Sequence, residues 1–159
     1  MRVVYLHQYF VTPDMAGGTR SYEMARRLVR LGHEVHMITS DRRPEASGAR
    51  QRIANESGIW VHWIPVPYSN SMGHGARMRT FLRFAALSAT QAARLDPDVV
   101  FATSTPLTIA LPALYSSWRC GCPMVFEIRD LWPDVPIAIG ALRNPLAMRA
   151  ARWLERIAY

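Results

Sequence analysis

The sequence predicts an α/β fold built on a doubly wound parallel sheet. Short β-rich apolar runs, of the kind that form buried parallel strands, alternate along the chain with amphipathic stretches of helical period. This alternation favours parallel pairing, with a ligand site outside the carboxyl ends of the strands. The chain has 159 residues, half of them apolar, which is the size and composition of one globular domain.

The elements follow one another at regular spacing. Strands are predicted at residues 3–6, 35–39, 59–64 and 99–102, and a further strand begins at Met124. Helices are predicted at residues 20–32, 76–95 and 107–118, and a last helix begins at Asn144-Pro145, with the Asn as N-cap. The polar stretch 41–58 is predicted to be a loop, and His62 on the following strand to be structural or on the surface.

The composition limits the compartment and the partners. The net charge is +7 and every basic residue is arginine, which indicates an anionic partner such as nucleic acid, an acidic membrane or a phosphorylated substrate, or else a GC-rich genome. We expect a cytoplasmic protein because the sequence shows no leader and no apolar run long enough to span a membrane. Cys120 and Cys122 are predicted to be free thiols.

A Gly-Gly pair, Gly17-Gly18, lies where the first strand passes into the first helix. Two glycines here allow a ligand to approach the amides that open the helix, so the stretch predicts an anion site. The alternative is a simple tight turn. Neither the GxGxxG dinucleotide pattern nor a P-loop is present, and the chain contains no lysine.

Polar residues end two of the later strands. Ser104 and Thr105 follow the strand at 99–102, where they either line the ligand rim or cap the next helix. Glu127, Arg129 and Asp130 end the strand that begins at Met124, so their charges are predicted to face the same crevice as Gly17. The structural alternative for these three is an ion-pair network that fixes the loop.

The helix predicted at 76–95 has an apolar stripe with arginines beside it. The stripe comprises Met78, Phe81, Leu82, Ala85, Ala86, Ala89 and Ala93. Phe84 and Leu87 fall outside it, and with Arg79 and Arg83 they form a candidate contact with a lipid interface. The alternative is a core helix with a solvated charged face.

Four motifs in this order and spacing resemble the amino-terminal half of a GT-B glycosyltransferase of family 4. They are His7-Gln8-Tyr9-Phe10, Gly17-Gly18-Thr19-Arg20, Gly32-His33-Glu34-Val35 and Glu127-Ile128-Arg129-Asp130-Leu131-Trp132-Pro133. The resemblance covers nearly the whole chain. It is closest to bacterial transferases that add N-acetylated deoxyhexosamines such as fucosamine during capsule, colanic-acid or O-antigen assembly.

The resemblance implies a Rossmann-like acceptor domain over residues 1–159, with the nucleotide-sugar domain lying outside it. It implies retaining transfer from a nucleotide sugar, usually a UDP-sugar, without an essential metal or other cofactor. The acceptor would be a glycan or a lipid-linked sugar, which adds peripheral docking on the anionic inner membrane face to the cytoplasmic expectation. We expect residues 1–159 alone to be inactive.

Individual roles carry over from the family by motif. Gly17 and Gly18, with Arg20 behind them, match the loop that lies against the donor diphosphate and sugar. His7, Ser104 and Thr105 are assigned to the acceptor-side rim.

Arg129-Asp130 stands where many relatives have His-Asp, which is a departure from the common pattern. A guanidinium is always charged and cannot act as a base near neutral pH, so Arg129 orients groups or balances charge. Asp130 and Glu127 are the candidates to accept a proton or to bind the acceptor hydroxyl.

Two other functions compete with this interpretation. A nucleic-acid binder would use the arginines together with Trp60, Trp63 and Tyr68, but the arginines are dispersed and no recognition motif is visible, so no nucleic-acid partner is predicted. The second competitor is a half-fold binding module without chemistry, or one subunit of a split glycosyltransferase.

Overall fold

The structure is a computed structural model that describes residues 1–43, 46, 50–69, 71–104, 106–138, 140 and 142–159, apart from the side chain of His74. In this part of the chain the strands are β1 (Arg2–Leu6), β2 (Glu34–Asp41), β3 (Arg52–Glu56), β4 (Ile59–Pro65), β5 (Val99–Thr103) and β6 (Met124–Glu127). The α-helices are α1 (Arg20–Arg30), α2 (His74–Arg94), α3 (Ala110–Cys120), α4 (Asp134–Ala138) and α5 (Pro145–Ala158). A 3-10 turn at Leu107–Ile109 precedes α3.

The strands form one sheet in the order β3-β4-β2-β1-β5-β6. Strands β4, β2, β1, β5 and β6 are parallel to one another, and β1 lies between β2 and β5. The chain therefore winds outward from β1 in one direction and later in the other, which opens a crevice at the carboxyl ends of β1 and β5. The predicted doubly wound α/β fold is confirmed.

The two faces of the sheet are covered by different helices. Alternate residues of β1 divide between them: Val4 and Leu6 pack with Phe84 of α2, whereas Val3 and Tyr5 pack with the α1 side chains. Because all four of these β1 residues are buried, β1 is a continuous apolar run rather than an alternating one.

Strand β3 was predicted to be part of a loop, and that prediction was wrong. It pairs antiparallel with β4, and Ser57 and Gly58, with φ of 54° and 87°, make the turn between them. Positive φ at both central residues is the geometry that favours a two-residue hairpin. The strand lies at the sheet edge and has no buried face, so no apolar pattern marked it.

Helix α2 buries only part of the predicted stripe. Its buried positions are Phe81, Phe84, Ala85, Ser88 and Ala92, of which Phe81 and Ala85 were predicted. Ser88 fits this apolar face because its hydroxyl donates to the Phe84 carbonyl at 2.7 Å, within its own helix. A polar residue in the buried stripe concealed the true face from the periodicity.

The burial of Phe84 on α2 corrects one of the predicted membrane contacts. The Phe84 side chain is 1% exposed and packs against the sheet, so it cannot reach a lipid surface. Arg79, Arg83 and Leu87 are exposed on the outer side of α2. Within the described residues, no helix combines the length and the apolar character that a bilayer crossing requires.

The carboxy-terminal helix begins where predicted but is largely exposed. Asn144 caps α5, because its Oδ1 accepts hydrogen bonds from the amides of Leu146 and Ala147 at 2.9 and 3.1 Å. Leu154 and Ala158 of α5 are buried, whereas Leu146 and Trp153 are exposed. The short helix α4 follows the turn at Trp132-Pro133.

His62 is buried between β2 and α2, in agreement with the structural interpretation. Its Nε2 lies 3.0 Å from Nδ1 of His36, and its Nδ1 lies 3.2 Å from the side-chain amide of Gln91. Burial and, to a smaller extent, the neighbouring His36 together lower the pKa of His62 to about 4. His62 is therefore neutral at physiological pH, and its contacts join the sheet to α2.

Candidate functional site

The crevice between β1 and β5 brings together the residues predicted from the strand ends. Thr103 and Ser104 come from β5, Glu127 and Arg129 come from the end of β6, and Arg20 opens α1. This is the position at which open α/β sheets bind ligands, because the connections on either side run in opposite directions and leave a gap.

Glu127 is the centre of this group. Its Oε2 accepts hydrogen bonds from the Thr103 hydroxyl and from Nε of Arg129, the latter at 3.2 Å, and its Oε1 pairs with the guanidinium of Arg20. Burial alone would raise the pKa of Glu127, but the Thr103 hydrogen bond and the charge of Arg129 outweigh it and lower the pKa. Glu127 is therefore a carboxylate at neutral pH, and its oxygens are engaged with cations and a hydroxyl.

Arg129 is held at three points. In addition to Glu127, its guanidinium donates to the Ser21 hydroxyl at 2.9 Å, and its backbone N–H donates to the Ser104 hydroxyl at 2.7 Å. The Ser104 N–H in turn donates to the Glu127 carbonyl at 2.8 Å. These bonds fix the cation at the mouth of the crevice.

Ser104 lies here in a position that differs from the prediction. It is completely buried, so it anchors the Arg129 backbone beneath the rim instead of lining it. Asp130 follows Arg129 in the chain and is exposed. The ion-pair network is thus present for Glu127 and Arg129. Thr105 lies outside the described residues.

His7 follows β1 into the crevice and is 4% exposed. Its Nδ1 is buried without a hydrogen-bond partner among the described residues. Burial lowers the pKa of His7 to about 3, helped by the positive charges of Arg129 and Arg42, so the imidazole is neutral. The buried neutral ring therefore has one nitrogen whose hydrogen bond is unmet within the described residues.

The glycine loop lies against α1. Gly17 has φ of 142°, and a Cβ there would come within 3.3 Å of the Val11 methyls, so a side chain at this position would be strained and crowded. Gly18 faces open space, because a Cβ added there would meet no other described part of the chain within 4 Å. Thr19 makes no side-chain cap to α1, which leaves the first amides of the helix directed at the loop.

A second cavity, which the sequence did not predict, opens beside the first site. Its volume is about 560 Å³, and it is lined by Asp14, Met15, Ser40, Asp41, Arg42, Arg43, Arg52, Trp63 and Tyr68. Arg42-Arg43 directly after β2 was the available signal, but the prediction of a loop over 41–58 concealed the contribution of Arg52 on β3.

Among the described residues, no group of three or more His, Cys, Asp or Glu side chains is arranged to hold a metal ion. Cys120 and Cys122 are free thiols, as predicted. Burial raises the pKa of the Cys122 thiol.

Comparison with solved structures shows the same type of fold. The chain is similar to the C-terminal domain of a hydrogenase from Pyrococcus furiosus, at 17% identity and a TM-score of 0.51 over 79% of this chain and 90% of that chain. A second structure of that domain has 16% identity and a TM-score of 0.49 over 79% and 89% of the two chains. At these identities the likeness concerns the fold alone.

The family comparison covers most of the sequence. Residues 16–159 match the family described as a glycosyl transferase 4-like domain. The comparison with curated proteins gives no match. The matched range contains the glycine loop, Arg20 and the Glu127–Arg129 network described above. The chain therefore belongs to the glycosyl transferase 4-like family.

Proposed function

We propose that this chain is the acceptor-binding half of a retaining glycosyltransferase that takes its sugar from a nucleotide sugar. The observation that carries the proposal is the placement of Arg20, Glu127 and Arg129 at the crevice beside the Gly17-Gly18 loop. Family membership supports the transferase chemistry. The resemblance to fucosamine-type transferases suggests an N-acetylated deoxyhexosamine donor and a cell-surface glycan as product.

The electrostatics of the crevice suit this reaction. Transfer from a nucleotide sugar builds negative charge on the departing diphosphate, so fixed cations and amides aimed at that charge lower the barrier. Arg129 supplies a cation held in place by Glu127 and Ser21, and the exposed end of α1 supplies amides. Arg20 is 66% exposed on its side chain, which leaves it able to move toward a diphosphate.

The acceptor would enter on the His7 side of the crevice. The acceptor would reach the buried, unpartnered Nδ1 of His7 after a shift of the side chain, and this nitrogen would then accept a hydrogen bond from an acceptor hydroxyl. The low pKa of His7 keeps this nitrogen unprotonated. A base this weak cannot by itself take the proton of the acceptor hydroxyl. Asp130, exposed at the loop end, is the carboxylate that we assign to binding the reacting hydroxyl.

The nucleotide pocket belongs, in this proposal, to a second domain outside residues 1–159. The test is transfer of labelled sugar from a panel of UDP-sugars to polyprenyl-diphosphate-linked glycans. It compares residues 1–159 with the complete reading frame that contains them. We expect product from the longer protein only, at a rate unchanged by EDTA and lost in Arg129→Ala.

Turnover by residues 1–159 alone would refute the division of labour between two domains. If the reading frame ends at residue 159, the same assay is run with the neighbouring genes co-expressed, since a split enzyme would then need a partner chain. Absence of transfer in every combination would favour the non-catalytic binding module.

We propose in addition that α2 contacts an anionic membrane through Arg79, Arg83 and Leu87. Arginines beside an exposed leucine match the composition of interfacial helices. Cosedimentation with vesicles that contain anionic lipid should fall in Arg79→Gln/Arg83→Gln and be unchanged in Arg30→Gln, an exposed arginine on the opposite side of the sheet. Binding that does not depend on anionic lipid would refute this proposal.

A further inference from the structure

The cavity beside the crevice has the size and position of a ligand subsite. Its volume of about 560 Å³ lies within the range of small-molecule pockets, roughly 300 to 1,000 Å³. Ser40 and Asp41 at the end of β2, Arg52 at the start of β3 and Trp63 near the end of β4 form its walls. It therefore opens at the same edge of the sheet as the Glu127–Arg129 network.

One of the three arginines in this cavity is already neutralised. Arg43 donates from Nε and from a terminal nitrogen to the two oxygens of Asp41, at 2.9 and 2.7 Å. The same contacts lower the pKa of Asp41, so this carboxylate is ionised and paired. Arg42 and Arg52 are the two arginines of the cavity that this carboxylate does not pair with.

Arg42 and Arg52 are positioned by aromatic rings instead of by acids. The Arg42 guanidinium lies 5.6 Å from the centre of the Tyr9 ring, and the Arg52 guanidinium lies 5.0 Å from the Trp63 ring. Among the described residues neither side chain forms an ion pair or a hydrogen bond. A guanidinium stacked on a ring keeps its N–H edge available, and that edge matches a carboxylate or a phosphate.

The remaining lining determines which kind of anion fits. Tyr68 stacks against Phe81 with ring centres 5.9 Å apart, so its ring is held rigidly at the cavity wall, where it can pack on the apolar face of a sugar ring. Asp14 and Asp41 bring carboxylate oxygens that accept hydrogen bonds from hydroxyls.

We propose that the cavity binds a sugar that carries an anionic group, with that group on Arg42 and Arg52 and the ring against Tyr68. This inference rests on the proposed function and deepens it, because it assigns the acceptor to the acidic glycans. The cavity is close to the reacting edge of the sheet, since Arg42 and Arg129 both act electrostatically on His7. An acidic residue of the acceptor bound here would leave a neighbouring sugar to enter the crevice.

The test is calorimetric titration of residues 1–159 with four probes. They are a glucuronic-acid disaccharide, its carboxyl-reduced neutral form, a hexose 1-phosphate and inorganic phosphate. A charge-assisted hydrogen-bond pair corresponds to an affinity ratio of about 10 or more, so we expect the acidic disaccharide to bind about 10-fold more tightly than the neutral form. Tighter binding of the sugar phosphate than of the uronate would identify the anionic group as phosphate.

Matched variants connect the binding to the cavity. Arg42→Gln and Arg52→Gln should each weaken binding of the acidic sugar about 10-fold. Arg119→Gln, which removes the same charge from an exposed position of α3, should leave the affinity unchanged. Arg52→Lys keeps the charge without the planar fork and should give an intermediate affinity. Thermal unfolding of each variant shows whether the fold is intact.

Several results would overturn the proposal. Equal affinity for the acidic and neutral disaccharides would do so, as would acidic-sugar binding that survives Arg42→Gln and Arg52→Gln. Binding of inorganic phosphate as tight as that of the sugar phosphate would reduce the cavity to an anion site without sugar recognition. An oligonucleotide that binds through Arg42 and Arg52, when no acidic sugar does, would assign the cavity to nucleic acid.

Failure of this proposal can be told apart from failure of the proposed function. Transfer to a neutral acceptor, without binding of acidic sugars, leaves the transferase assignment intact and removes only the subsite. Binding of acidic sugars without transfer in any combination of chains removes the enzymatic assignment and keeps the subsite.

Discussion

The two arginines that contact Glu127 should differ in how strongly they are coupled to it. The test is a double-mutant cycle with Glu127→Ala, Arg129→Ala, Arg20→Ala and the two corresponding double variants. Arg129 is 20% exposed on its side chain and Arg20 is 66% exposed, while the Glu127 side chain is 15% exposed. Water screens the Arg20 contact far more than the Arg129 contact.

The magnitudes follow from this difference in exposure. A hydrogen-bonded, mostly desolvated charge pair typically contributes about 1.5–3 kcal/mol, and we expect a coupling free energy in that range between Arg129 and Glu127. An exposed pair contributes about 0–1 kcal/mol, and we expect that range for Arg20 and Glu127. The Arg20 coupling should also fall as salt is raised, because exposed charges are screened.

The assay is urea unfolding of residues 1–159, followed by circular dichroism at low and high salt. The coupling energy is the free energy of unfolding lost in the double variant, compared with the sum of the two single losses. A coupling of Arg20 equal to or larger than that of Arg129 would refute the reasoning. It would also remove the idea that Arg20 is the cation able to shift toward a diphosphate.

Three further predictions concern stability. His7 and His62 have pKa values of about 3 and 4 in the folded chain, against about 6.5 when unfolded. The unfolded chain therefore binds protons first, and the free energy of unfolding should fall as pH drops from about 6.5 toward 5. Thermal melts in which His7→Asn does not flatten this dependence on pH would contradict the prediction. Gly58→Ala should lower the free energy of unfolding in urea by about 1–3 kcal/mol, because φ is 87° and the new Cβ would lie 2.7 Å from a Val29 methyl. Gly18→Ala should leave stability unchanged, and equal effects of the two substitutions would refute the argument. Phe84→Ala should cost about 3–5 kcal/mol by the same measurement, and a loss below about 1 kcal/mol would mean that the ring is not in the core.

The candidate site was predictable where chemistry follows strand ends. Glu127 and Arg129 were named because charged residues directly after a buried strand must lie at the crevice edge, and the structure brings them together there with Arg20. The pairing of Glu127 with Arg129 was predicted only as an alternative. The contact between Arg20 and Glu127 was not predicted, because their separation along the chain carries no information about it. The arginine cavity was missed because β3 had no pattern of its own.

The sequence by itself determined the order of the five parallel strands and of helices α1, α2, α3 and α5, the site edge and the start of α5. These depend on local signals: apolar runs for the buried strands, and an Asn-Pro cap whose hydrogen bonds form within one helical turn. Only the tertiary structure decided which face of α2 is buried. Phe84 and Met78 are both apolar, but the sheet covers the first and leaves the second exposed, because burial depends on what packs against a helix and not on its own periodicity.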